Sequence, residues 1–187
     1  MSSAQPTLEV RATRVLPVPV EAAYAAWTEP DLVKLWWGPT GFTCPVAALD
    51  VRSGGVSLVA MRAPAEYGGG TMYNTWTYTQ VDPPNRLEYQ MRFATSDGQT
   101  ISPADAGVPD GVPDAIPHVV TFEPLDDHRS QVSVTEYGYT DQQARDMSQA
   151  GLDQCLDKLD QLLSGNETST EPSTPVAQRL LTRDDTD

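Results

Sequence analysis

Lysine is almost missing from this chain: Lys34 and Lys158 are the only two in 187 residues. Proteins that grip phosphate backbones cluster Lys and Arg, so DNA and RNA are excluded as partners, and anionic membrane surfaces are disfavoured in the same way. Cysteine is equally scarce. Cys44 and Cys155 lie far apart with no CxxC spacing, which points to reduced packing residues and excludes a disulfide framework or a zinc site. With only His118 and His128, a histidine-rich metal centre is excluded too, so no metal and no cofactor is implied. No run approaches the roughly 20 apolar residues of a membrane span. Met1 to Pro6 has neither a basic start nor an apolar stretch of the signal-peptide kind, so a soluble, cytoplasmic protein is expected. The motifs GxSxG, HExxH, GxxxxGK and GxGxxG do not occur. Gly68-Gly69-Gly70 has no strand-to-helix context and reads as a loop.

What is present in excess is negative charge. Asp and Glu number 26 against 12 Lys and Arg, for a formal charge of −14. Asp outnumbers Glu 17 to 9 and Arg outnumbers Lys 10 to 2, a usage that fits a solubilising or salt-adapted surface better than a binding patch. A chain of this length hides roughly 70% of its unfolded surface, enough for one core without staples. One domain over 7–164 is expected, with a flexible N-terminus at 1–6 and a disordered acidic tail at 165–187, where Ser, Thr, Pro and Glu replace apolar residues.

Periodicity supplies the elements. From Asp141 to Leu163, Ala144, Met147, Gly151, Cys155, Leu159 and Leu162 recur at three and four, predicting a long helix capped by Asp141 and stopped at Gly165. Leu87, Tyr89, Met91 and Phe93 alternate with Arg86, Glu88, Gln90 and Arg92, predicting a strand with one wet face. Further strands are expected at Thr7–Leu16, Val46–Arg52, Val56–Arg62, Thr71–Val81, His118–Glu123 and Gln131–Tyr139, with Asp126 to Arg129 as a hairpin turn. Two short helices, Pro19–Trp27 and Pro30–Trp36, follow the first strand. Strands in a run with helices outside them indicate an α+β antiparallel sheet.

Trp27-Thr28-Glu29-Pro30-Asp31-Leu32, followed by Leu35-Trp36-Trp37-Gly38-Pro39 and Gly41-Phe42-Thr43, closely resembles the bacterial and archaeal relatives of the activator of heat-shock-protein-90 ATPase, within the START-like (SRPBCC) superfamily. Arg52-Ser53-Gly54-Gly55, Val81 to Leu87, Val119 to Glu123 and Leu156 to Leu159 extend the likeness, which spans about Leu8 to Leu163. The resemblance implies a helix-grip fold, a curved antiparallel sheet wrapped around a long C-terminal helix and enclosing an apolar cavity. The family often carries Trp after the glycine of the last helix, where Leu152 stands here.

A cavity would draw on the aromatic residues of the first half. The candidates are Trp36, Trp37, Phe42, Trp76, Tyr78, Tyr89 and Phe93, with Met91, Phe122, Met147 and Gly151 around them. His118 shares the parity of Val120 and Phe122, and Glu136 that of Val132 and Val134, so both point toward the cavity. A carboxylate there can serve as an acid, a base or a ligand anchor. The long Pro-, Gly- and Asp-rich stretch Ser96–Pro117 can cover the cavity mouth. The catalytic residues stay unassigned, and the leading expectation is a domain that binds a small apolar or aromatic molecule. An aromatase or cyclase-type enzyme acting on a polyketide-like substrate, and a protein contacting a chaperone ATPase, are the alternatives.

Overall fold

The computed structural model describes residues 7–165. The segments expected at 1–6 and, but for Gly165, at 165–187 lie outside the described residues. Elements follow in the order β1 (Leu8–Leu16), α1 (Val20–Thr28), α2 (Pro30–Trp36), β2 (Thr43–Ala48), β3 (Val56–Arg62), β4 (Thr71–Asp82), β5 (Arg86–Ala94), β6 (Ile116–Asp126), β7 (Arg129–Tyr139) and α3 (Gln142–Leu163). The seven strands form one sheet in the order β1-β7-β6-β5-β4-β3-β2. Every neighbouring pair is antiparallel, and register irregularities in β1/β7, β2/β3, β4/β5 and β6/β7 accompany its curl. The chain therefore has the α+β helix-grip fold, with α3 lying in the grip of the sheet.

Alternation decides which face of each strand is wet. Leu87, Tyr89 and Phe93 of β5 are buried. On the opposite face Arg86 donates from Nε to Glu88 Oε1 at 2.7 Å. Two strands differ from expectation: β6 runs longer, Ile116–Asp126 against His118–Glu123, and β2 covers Thr43–Ala48 and not Val46–Arg52. The reason in β2 is local. Arg52 N–H bonds to Asp50 O and Gly55 N–H to Arg52 O, which turns residues 50–55 back on themselves before β3. A Cβ at Gly55 would stand 2.1 Å from Asp50 O, so only glycine closes that turn.

Helix α3 starts where Asp141 accepts from the backbone N–H groups of Gln143 at 2.9 Å and Ala144 at 3.1 Å. Along one side it is tied to the edge strand β1. The Gln149 amide bonds both backbone groups of Arg11, and Arg14 reaches Asp157 at 2.9 Å. Along the other side the Lys158 ammonium donates to Gly38 O and Phe42 O, each at 3.0 Å. One of the two lysines of the chain thus clasps the Trp-Trp-Gly-Pro loop to the last helix. Removal from water lowers its pKa, and the neighbouring thiols partly offset this. No helix among the described residues is long and apolar enough to cross a membrane.

Candidate functional site

A cavity of about 230 Å³ lies between the concave face of the sheet, α3 and the 95–115 loop. Its walls are mainly apolar. All four methionines of the described residues, Met61, Met72, Met91 and Met147, line it. Their unbranched, polarizable side chains make an adaptable surface. Helix α3 contributes Gly151, Leu152 and Cys155, and the loop contributes Val108, Pro109 and Val112. That loop is pinned to the start of α3 because Thr140 N–H bonds to Gly111 O at 2.9 Å. Gly111 has φ +93° and leaves no room for a Cβ, which would meet Asp141 Cβ at 2.3 Å.

One end of the cavity holds a polar network. Glu136 and His118 are direct cross-strand partners in β7 and β6. His118 Nδ1 lies 2.9 Å from Ile116 O, and a carbonyl can only accept, so Nδ1 carries the proton. Nε2 then faces Glu136 Oε1 at 3.3 Å. The Tyr139 hydroxyl donates to Glu136 Oε2 at 2.6 Å. Burial first, then the Glu136 carboxylate, pushes the pKa of that phenol far above its ordinary value, so it stays a donor. Glu136 and Tyr139 are three apart, and a regular strand would place them on opposite faces. The register shift that carries Gly138, at φ +100°, turns both inward.

The other end of the cavity holds Asn74, 1% exposed. Neither its Oδ1 nor its Nδ2 has a hydrogen-bond partner in the protein. Its cross-strand neighbours are Val59 and Phe93, which offer no polar group. Leaving a buried amide unpaired costs about 1–3 kcal/mol. The Trp37 indole N–H on the same cavity wall is also without a partner. Both thiols are pushed up to about 11 by burial, which keeps them protonated and unreactive at neutral pH.

Of the residues singled out in the sequence, Trp37, Met91, Phe93, His118, Glu136, Met147 and Gly151 line this cavity. The other six lie elsewhere. Phe42 borders a second hollow of about 470 Å³, which shares Met61 and Met72 with the first. Trp36 packs against Trp27 with centroids 4.5 Å apart and donates from Nε1 to Ala26 O. Phe122 meets Trp27 and Tyr24 edge-on. Trp76, Tyr89 and His118 stack in sequence, 4.9 Å and 4.8 Å between centroids, and Tyr78 closes the row at 5.8 Å. These rings form a solid floor beneath the cavity because each is covered by the next. Asn74, Met61, Met72 and Tyr139 escaped the sequence reading. Asn74 shares the parity of Trp76 and Tyr78, and Gly138 inside a strand pattern signals a bulge, so both clues were there.

The model of the Activator of Hsp90 ATPase homolog 1-like family matches residues 17–164. The chain belongs to this family. Solved structures of similar proteins agree on the architecture. A crystal structure of a Chromobacterium violaceum protein is 26% identical, with a TM-score of 0.65 over 83% of this chain and 96% of that one. A solution structure from Staphylococcus epidermidis is 25% identical, with a TM-score of 0.68 over 93% and 100%. The AHSA1 protein of Silicibacter pomeroyi, 19% identical, has a TM-score of 0.67 over 86% and 100% and shares the fold. Among curated proteins no match is found.

Proposed function

We propose that this family member binds a compact, mostly apolar or aromatic molecule in the cavity between the sheet and α3. The observation that carries the reading is an apolar space bordered by a few convergent polar groups, inside a protein whose aromatic floor is otherwise close-packed. Its volume of about 230 Å³ falls below the roughly 300–1,000 Å³ of drug-sized sites, so the ligand is small. Native mass spectrometry of the protein purified from its own source tests this. A retained small molecule that is lost in a Leu152→Trp variant, in which an indole fills the cavity, is the expected result. A wild-type protein that carries nothing and takes up no apolar probe would overturn it.

One observation favours an enzyme. Glu136, His118 and Tyr139 meet at the cavity wall, the kind of cluster that a catalyst of proton transfer during ring closure requires. A cyclase of this kind would show a pH-dependent rate on a polyketide-like substrate that Glu136→Gln abolishes, and turnover unchanged by that variant removes the reading. The family description also names a chaperone ATPase. Co-purification of such an ATPase with the full chain would be the mark of that role.

A further inference from the structure

We infer that the cavity selects molecules carrying a neutral amide or lactam group, and that Asn74 is the residue that reads it. The inference rests on the binding reading above and names the ligand class. Asn74 is 1% exposed, lines the cavity, and has both an amide N–H₂ and a carbonyl oxygen that no protein group satisfies. A primary amide that offers one donor and one acceptor side by side is matched by a group with the same pair in reverse order, as in a cis-amide, a lactam or a primary amide. The ligand N–H donates to Asn74 Oδ1 while its carbonyl oxygen accepts from Asn74 Nδ2. Trp37 offers a further unpaired donor on the same cavity wall. Its Nε1 lacks a protein partner, and its ring packs edge-on to Trp76 at 4.8 Å, two residues along β4 from Asn74. A site built to hydrogen-bond a polar group rejects the analogue that lacks it, because its own buried groups are then left unpaired.

The surroundings select against the obvious competitor, a carboxylate. A carboxylate has no N–H for Oδ1 to accept. The chain carries −14 overall, and the loop that supplies Val108, Pro109 and Val112 also carries Asp105, Asp110 and Asp114. At the far end of the cavity the donors are already engaged: His118 Nδ1–H by Ile116 O, and the Tyr139 hydroxyl by Glu136. Only acceptor capacity remains there. The molecule that suits both ends is uncharged, apolar through its middle, amide-bearing at the Asn74 end, and free of acidic groups.

Three probes of similar size separate the possibilities: benzamide, sodium benzoate and ethylbenzene, titrated into the full chain by calorimetry and by thermal unfolding. Benzamide is expected to bind at least tenfold more tightly than the other two. In Asn74→Leu and in Asn74→Val, benzamide should lose that tenfold advantage while ethylbenzene binding persists. The same variants, without ligand, should melt about 2–4 °C higher or more, since each removes an unpaired buried amide. Benzamide affinity unchanged in both variants, or both variants melting lower than wild type, would overturn the role of Asn74. Ethylbenzene binding with no preference for benzamide overturns the amide selectivity and leaves the cavity reading standing. Wild-type protein that binds none of the three loses both.

Discussion

The concave face of the sheet holds two regions built on opposite principles. Around Trp27, Trp36, Trp76, Tyr78, Tyr89 and Phe122, rings meet edge to face or stack, and every one is at most 2% exposed. Around Asn74, Met72 and Met91, one strand repeat away, the same face borders open space. The difference follows from what stands opposite. Helices α1 and α2 bring Trp27 and Trp36 down onto the first region. Over the second lies the middle of α3, where Gly151 leaves a gap between Met147, Leu152 and Cys155, and a loop that offers Val108, Pro109 and Val112. Rigid aromatic packing beneath a soft methionine lining fits a site that keeps its frame while adapting to its contents.

The largest effect should come from the packed region. Trp36 is fully buried and its indole is hydrogen-bonded, so Trp36→Ala should cost about 3–5 kcal/mol in urea unfolding. Met72→Ala, whose side chain is half-buried and already borders open space, should cost less than half of that. Equal losses would erase the distinction between the regions.

Cys155 lies on the cavity wall, and Cys44 is buried outside it. Both thiols are raised from 9.0 to about 11, chiefly by burial. Below about pH 9 they are neutral in the folded and unfolded chain alike, and stability is unaffected. Between about pH 9 and 11 the unfolded chain releases protons that the folded chain keeps, so stability falls as pH rises, by up to about 3 kcal/mol per thiol. Urea midpoints at about pH 8 and pH 10 read the loss. Cys44→Ala and Cys155→Ala should each remove a similar share of it. A negligible share for Cys155 would mean that water enters the cavity end freely.

The smallest effect has the opposite sign. A Cβ at Gly151 would meet only Pro39 Cγ, at 3.8 Å, an ordinary contact. Gly151→Ala should therefore stabilise the helix by about 0.5–1 kcal/mol while narrowing the cavity. Denaturation together with ethylbenzene titration would show both, and a loss of stability would mean that α3 is held closer to Pro39 than this spacing allows.

Much of the frame was legible in the residues. The three-and-four spacing of α3, the alternation of β5 and the Asp126–Arg129 turn all appear where they were expected, because each depends on a few consecutive side chains. The end of β2 was misplaced because Arg52 and Gly55 look like strand and hairpin residues, and only their backbone bonds show a turn. The site was legible by halves. Parity turned His118 and Glu136 inward, but it turned Trp76, Tyr78 and Tyr89 inward equally. Which inward residues meet space and which meet another ring depends on what packs against them.

Composition and periodicity by themselves determined the element types and the wet and dry faces, and the motif residues from Trp27 to Thr43 carried the resemblance to the family. Those properties are local or additive, so a linear reading reaches them. The tertiary structure alone decided that Glu136 meets both His118 and Tyr139, that Lys158 holds three loop carbonyls from 116 to 120 residues away, and that Asn74 meets no partner. Those outcomes are set by strand order, a one-residue bulge at Gly138 and the curl of the sheet, and none of these is a property of neighbouring residues.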